Sequence, residues 1–276
     1  MSRVKALALA AVVVLALGGC APLFEFNLFG GLDNPPIKTL ADYSGAGGLD
    51  ALGEDLNSPA IVDALAADPT LVAEIKDYLW DTFIGDGGGV ENEEDSQAAI
   101  LYADLALKTS EGENLVNNIV EALLDGTLTG SSDIATLLAS IIPPEALADA
   151  ATFAAMVGAL LDANDAYEQL GLYVDGDTPL GDGYWDNPLP PGSLPGDVAQ
   201  KAIVAYTMAA LVEAVVMDPD MAPILQPDAI TQLFLVASGQ PHDTDMDDIM
   251  VDPYASPDNW LLALLDVAGM RDMFEP

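Results

Sequence analysis

The feature that most constrains the fold of this chain is a repeated helix-start signal. Ser58-Pro59, Asp68-Pro69, Asp218-Pro219 and Ser256-Pro257 each place a capping side chain directly before a proline. A Ser or Asp oxygen accepts from the orphan amides of a first turn, and proline at the first helical position lacks only a donor that has no partner there anyway. The segments that follow carry helical periodicity. After Pro69, Leu71, Ile75, Leu79 and Phe83 share one face while Glu74, Lys76, Asp77 and Asp81 lie off it, which predicts an amphipathic helix ending near Gly85. The glycine-rich stretch after Gly85 reads as a connector, because it lacks a phosphate-cradle ending and is followed by Glu91, Glu93, Glu94 and Asp95.

Further helices are predicted over Ser96 to Thr109, through Ala98, Leu101, Tyr102 and Leu105, and over Gly112 to Asp125, with Asn117 and Asn118 on the polar side. Ser132 can cap a short helix through Ile142, and Pro143-Pro144 restart the chain into its longest periodic segment, from Glu145 towards Leu172. Asp197 to Met217 is very apolar, with Glu213 its one interior acid, and is expected to be the central core helix, too short and interrupted to span a membrane. Pro227 opens another helix; the last starts at Ser256-Pro257, turns Trp260, Leu261, Leu264 and Leu265 inward and stops at Gly269. No strand-like alternation of useful length occurs. The expected fold is all-α, either a multi-helix bundle or an irregular, solenoid-like stack of helix hairpins. Ala166-Tyr167 with Leu170-Gly171 resembles the first helix of a tetratricopeptide unit, over that one helix alone and without the other signature positions.

Charge narrows the partners. Seven basic residues face 45 acidic ones, a formal net charge of −38, and the acids comprise 32 Asp and 13 Glu. Nucleic acid and anionic headgroups are poor partners for such a surface. The acids are spread over every segment, as they are in salt-adapted (halophilic) proteins, whereas a dedicated cation-binding protein would gather them in ligand loops. Half of the chain is apolar, enough for a substantial core.

The first residues set the expected location. Arg3 and Lys5 precede an apolar run from Ala6 to Leu17, with the layout of an export signal and too few residues to cross a bilayer. The closing Leu17-Gly18-Gly19-Cys20 resembles a bacterial lipobox. That resemblance implies residues 1–19 as a lipoprotein signal peptide and lipidation of Cys20, with diacylglycerol and acyl chains such as palmitate anchoring the chain to a membrane of the bacterial cell envelope. Ala21 after the cysteine resembles the default routing to the outer membrane in a Gram-negative cell. Residues 20–48 then form the lipidated N-terminus and tether, made apolar by Leu23, Phe24, Phe26, Leu28 and Phe29, which either dock on the domain or lie in the lipid interface. Residues 49–276 form a single helical domain with long loops at 175–196 and 239–255.

The chemistry available is narrow. Cys20 is the only cysteine and His242 the only histidine, so thiolate catalysis, disulfides and multi-histidine zinc sites fall away once Cys20 is acylated. No catalytic residue is assigned, and a non-enzymatic role is expected. Oxygen ligands are in excess: Asp175, Asp177 and Asp182 in one loop and Asp243, Asp245 and Asp247 in the other are candidate Ca2+ ligands, although neither loop keeps the glycine and glutamate of an EF-hand. The leading expectation is an envelope adaptor that binds a protein partner. The alternatives are a Ca2+ or small-ligand binding lipoprotein and a carboxylate-dependent hydrolase, which needs two acids in one cleft beside aromatics such as Trp185.

Overall fold

A computed structural model describes residues 37–85, 89–124, 134–175, 187–216, 225–242 and 258–270. Among them are twelve helices and no strand, so the fold is all-α. In chain order they are α1 (Leu40–Tyr43), α2 (Gly48–Leu56), α3 (Pro59–Ala66), α4 (Pro69–Ile84), α5 (Glu93–Lys108), α6 (Gly112–Leu124), α7 (Ile134–Ile141), α8 (Pro144–Ala148), α9 (Ala150–Asp175), α10 (Pro195–Val216), α11 (Gln226–Ala237) and α12 (Asn259–Val267). Two of the four proline signals lie within the described residues, and both start helices. Asp68 accepts from the Leu71 amide at 3.1 Å, whereas Ser58 holds the N-cap position of α3 with no side-chain bond.

Some boundaries moved, each for a capping reason. α5 begins at Glu93 and not at Ser96, because the Asn92 side chain accepts from the amides of Glu94 and Asp95 at 2.8 and 3.1 Å. Glu93, Glu94 and Asp95, which follow the glycine-rich connector, form its first turn, where the helix dipole favours negative charge. The long segment after Pro143 is two helices. Asp149 is extended, with φ −142° and ψ 122°, and its carboxylate accepts from the Thr152 amide and hydroxyl, both at 2.8 Å, so it ends α8 and starts α9. Gly269 does stop α12: at φ +70° it donates to the Asp266 carbonyl, and Met270 donates to Leu265, a Schellman closure.

The central helix is α9, not α10 as expected from hydropathy. It packs on α5, α6, α8, α10, α11 and α12, a set that includes elements far apart in sequence. That convergence distinguishes a bundle from a solenoid, in which each repeat meets only its neighbours. α9 can be central because small residues let neighbours close in: a Cβ on Gly171 would sit 2.4 Å from the Trp260 carbonyl oxygen of α12. Ala166, Tyr167, Leu170 and Gly171 are all buried there. α10 has 22 residues and mean hydropathy 1.4 over its most apolar stretch, so length alone does not exclude a span, contrary to the expectation from sequence. It is 56% buried over that stretch, against α9, α11 and α12.

One continuous apolar cluster runs from Tyr43 to Met270. Its first member belongs to the segment read as tether: Tyr43 is fully buried, and its hydroxyl donates to Asp55 Oδ2 at 2.9 Å. The residues read as a signal peptide, Cys20, the apolar tether residues from Leu23 to Phe29, Ser132, Trp185, Asp218-Pro219 and Ser256-Pro257 lie outside the described residues.

Candidate functional site

Charge and packing together leave few places where a ligand could be recognised. The basic residues among those described are four lysines, and each is committed to an acid: Lys38 to Asp55 at 3.0 Å, Lys76 to Asp162, Lys108 to Glu113 at 3.9 Å, and Lys201 to Asp104 and Asp197, both at 2.8 Å. No cation in that set is left over to receive an anionic ligand. Two of these pairs organise their surroundings.

The first is built around a buried cation. Lys201 lies on α10, the very apolar helix, and is 6% exposed. Burial works against its charge, but Asp104 and Asp197 outweigh that cost and hold its pKa well above the ordinary lysine value. Tyr167 of α9 lies beside them, wholly buried, with its hydroxyl unpartnered and its pKa pushed far up by burial. The expected interior acid, Glu213, is exposed.

The second is open. Pro69, Val72, Ala73, Lys76, Asp77 and Trp80 form a stripe along α4 at helical spacing, beside its core stripe of Ile75, Leu79 and Phe83. With Tyr102 of α5 and Asp162 and Asp165 of α9, that stripe lines a groove of about 560 Å³. Trp80, Phe83 and Tyr102 stack edge-on around its base, with centroids 5.0 to 5.6 Å apart. The Lys76 ammonium sits 5.0 Å from the Tyr102 ring centre while paired with Asp162.

The acids of the groove crowd one another. The Asp165 carboxyl is raised above its ordinary pKa, first by the protein packed around it and then by Asp162, against a lowering hydrogen bond from Asn164. One turn on, Glu168 is raised too, by burial and then by Asp165. Tyr102 is raised by burial and then by Asp162, Asp165 and Asp77, so three carboxylates converge electrostatically on its hydroxyl. A second, polar groove of the same size lies between the Ser44–Leu49 turn and Tyr78, Glu93, Glu94 and Gln97.

Of the six proposed calcium ligands, Asp175 is described, as the last residue of α9; Asp177, Asp182, Asp243, Asp245 and Asp247 lie outside the described residues. Among the described residues no group of three or more His, Cys, Asp or Glu side chains could hold a metal ion. Sequence reasoning placed Lys76 and Asp77 on a solvated face and did not single out Asp162 or Asp165. The signal it passed over was Trp80, a tryptophan beside the apolar stripe and not in it.

No known protein family, curated protein or solved structure matches this chain.

Proposed function

We propose that this chain is a lipid-anchored binding protein of the bacterial cell envelope, held at the membrane through acylated Cys20, and that it acts by non-covalent capture of a ligand in the α4–α5–α9 groove. The observation that carries the reading is the groove itself: aromatic walls and carboxylates brought from three helices into one concavity of small-ligand size. It favours the small-ligand alternative over the adaptor. Among the described residues the exposed large apolar side chains are Ile37, Leu172, Leu194 and Leu225, none of which lines the groove. Single exposed apolar residues of this kind are ordinary and do not make a partner surface.

Two experiments test the two halves. Acyl labelling with membrane fractionation should place the full chain in membranes and Cys20→Ala in the soluble fraction. Native mass spectrometry after incubation with small molecules extracted from envelopes should show a retained ligand that is lost in Ala73→Trp, which fills the groove without changing charge. A chain that retains nothing, or retains the same ligand in both forms, contradicts the binding half.

One observation favours hydrolysis as a second reading: Asp165, with its raised pKa, and Asp77 come from different helices into a groove beside Trp80. Release of reducing ends from envelope glycans, abolished by Asp165→Asn, would establish it.

A further inference from the structure

Within the groove, charge and shape specify what kind of molecule would fit. Asp77, Asp162 and Asp165 line it, and Lys76 offsets one of the three by pairing with Asp162. Asp77 and Asp165 have no cationic partner among the described residues. The uncompensated charge is thus that of two carboxylates. They come from α4 and α9, and they are not gathered with a third acid into a group that could hold a metal ion. A divalent metal ion also requires six or more oxygen ligands around one point. Two carboxylates spread along a concavity are instead matched by two positive charges spread along a molecule.

The walls make the same distinction. Trp80 and Tyr102 offer ring faces, which attract ammonium groups but supply nothing to a hard metal ion. The chain's own chemistry demonstrates the mode, with the Lys76 ammonium placed over the Tyr102 ring and beside Asp162. Tyr102 adds an independent pointer. It is 7% exposed, lines the groove, and its hydroxyl makes no hydrogen bond to any described residue, while Asp77, Asp162 and Asp165 all bear on it. The hydroxyl itself opens into the groove, where an ammonium group among these carboxylates would offset their charge and donate to its oxygen. Val72, Ala73, Ala66 and Pro69 supply an apolar side along which methylenes can lie.

We infer that the groove binds a small aliphatic dication, a linear diamine whose two ammonium groups pair with Asp77 and Asp165 while its methylene chain crosses Trp80 and Tyr102. This rests on the binding reading above and names its ligand class. The alternative source of the same chemistry, a lysine-rich segment of a protein, is disfavoured by the small volume of the groove and by the absence, among the described residues, of exposed large apolar side chains lining it.

The test is calorimetric titration of the full chain in neutral detergent with putrescine, butylamine, CaCl2 and an oligolysine peptide, all at matched ionic strength. Putrescine should bind one to one and butylamine at least about tenfold more weakly, the scale of one lost charge-assisted contact. Asp165→Asn and Asp77→Asn should each weaken putrescine by about tenfold, and Tyr102→Phe by less, since the ring remains. Ala73→Trp should abolish binding with an unchanged melting temperature, which separates a blocked groove from a damaged fold. Equal heats for putrescine, butylamine and calcium, or a putrescine affinity that ignores Asp165→Asn, would overturn the inference as mere screening. So would groove-dependent binding of oligolysine without putrescine. Retention of some other envelope molecule in the groove, with no diamine binding, would overturn this inference and leave the proposed function standing.

Discussion

The two lysine–aspartate centres of this protein use the same side chains to opposite ends. At Lys201 one buried ammonium, on a lysine 6% exposed, meets two carboxylates, Asp104 largely buried and Asp197 reaching the surface. At Lys76 one ammonium shares a groove with three carboxylates, and both it and Asp162 remain partly exposed. In the first centre the chain's own carboxylates surround the buried cation, and the Lys201–Asp104 pair ties α10 to α5. The second is open and sets three carboxylates against one ammonium, so its acids repel one another. Burial of the cation and stoichiometry, not residue type, separate the two centres.

The sharpest way to break the contrast is to remove the buried cation. Lys201→Met should destabilise the fold by about 3 kcal/mol in urea denaturation, because Asp104 keeps a largely buried charge with nothing to offset it. Adding Asp104→Leu to Lys201→Met should recover much of that loss; no recovery would mean that packing of the lysine stem, not charge, held the site. Next in size is Gly171→Ala, expected to cost about 2 kcal/mol because the new Cβ meets the Trp260 backbone and α12 must shift. As α9 carries Tyr167 to one centre and Asp162 and Asp165 to the other, this variant should disturb both.

Lys76→Met should be milder, within about 1 kcal/mol, as expected of a pair screened by solvent. It should steepen the dependence of melting temperature on salt, since screening then has more repulsion to relieve. The smallest effect concerns pH, where the two centres should differ in window and in response to acid. A carboxyl raised in the folded state, as Asp165 is, binds protons more readily folded than unfolded, so its penalty is present above the raised pKa and disappears as pH falls towards the ordinary value. Melting temperature should therefore rise slightly as pH falls from neutral towards the ordinary aspartate pKa, and Asp165→Asn should reduce that rise. The raised Lys201 contributes stability that is intact below the ordinary lysine pKa of about 10.4 and lost only as pH climbs through its folded value. A melting curve that falls at mildly alkaline pH in the native chain, but not in Lys201→Met, would contradict that assignment.

Much of the fold was legible because its signals are local. Asp68-Pro69 and the spacing of Leu71, Ile75, Leu79 and Phe83 lie within a few turns of one another, and together they place α4 from Pro69 to Ile84 as expected. Gly269 needed only its own positive φ and the carbonyls of the preceding turn. The misses also have local causes: Asn92 and Asp149 cap α5 and α9, yet neither is followed by the proline that marked the other starts. The groove was less legible. Tyr102 was read as inward, which it is, but nothing within α5 says that its hydroxyl edge meets the polar side of α4 and a carboxylate row on α9.

Sequence alone determined that this chain would be helical, where most of its helices begin, and that its surface would repel anions; periodicity, caps and composition act within a few residues or over the chain as a whole. Tertiary structure decided which helix is central and which acids matter. Hydropathy favoured α10, but the glycine and alanines of α9 admit more neighbours, and contact depends on shape as well as apolarity. Lys76 and Asp162 are separated by 86 positions, Lys201 and Asp104 by 97. Whether such a pair is shut away or left facing a groove is settled only when the helices that carry it pack.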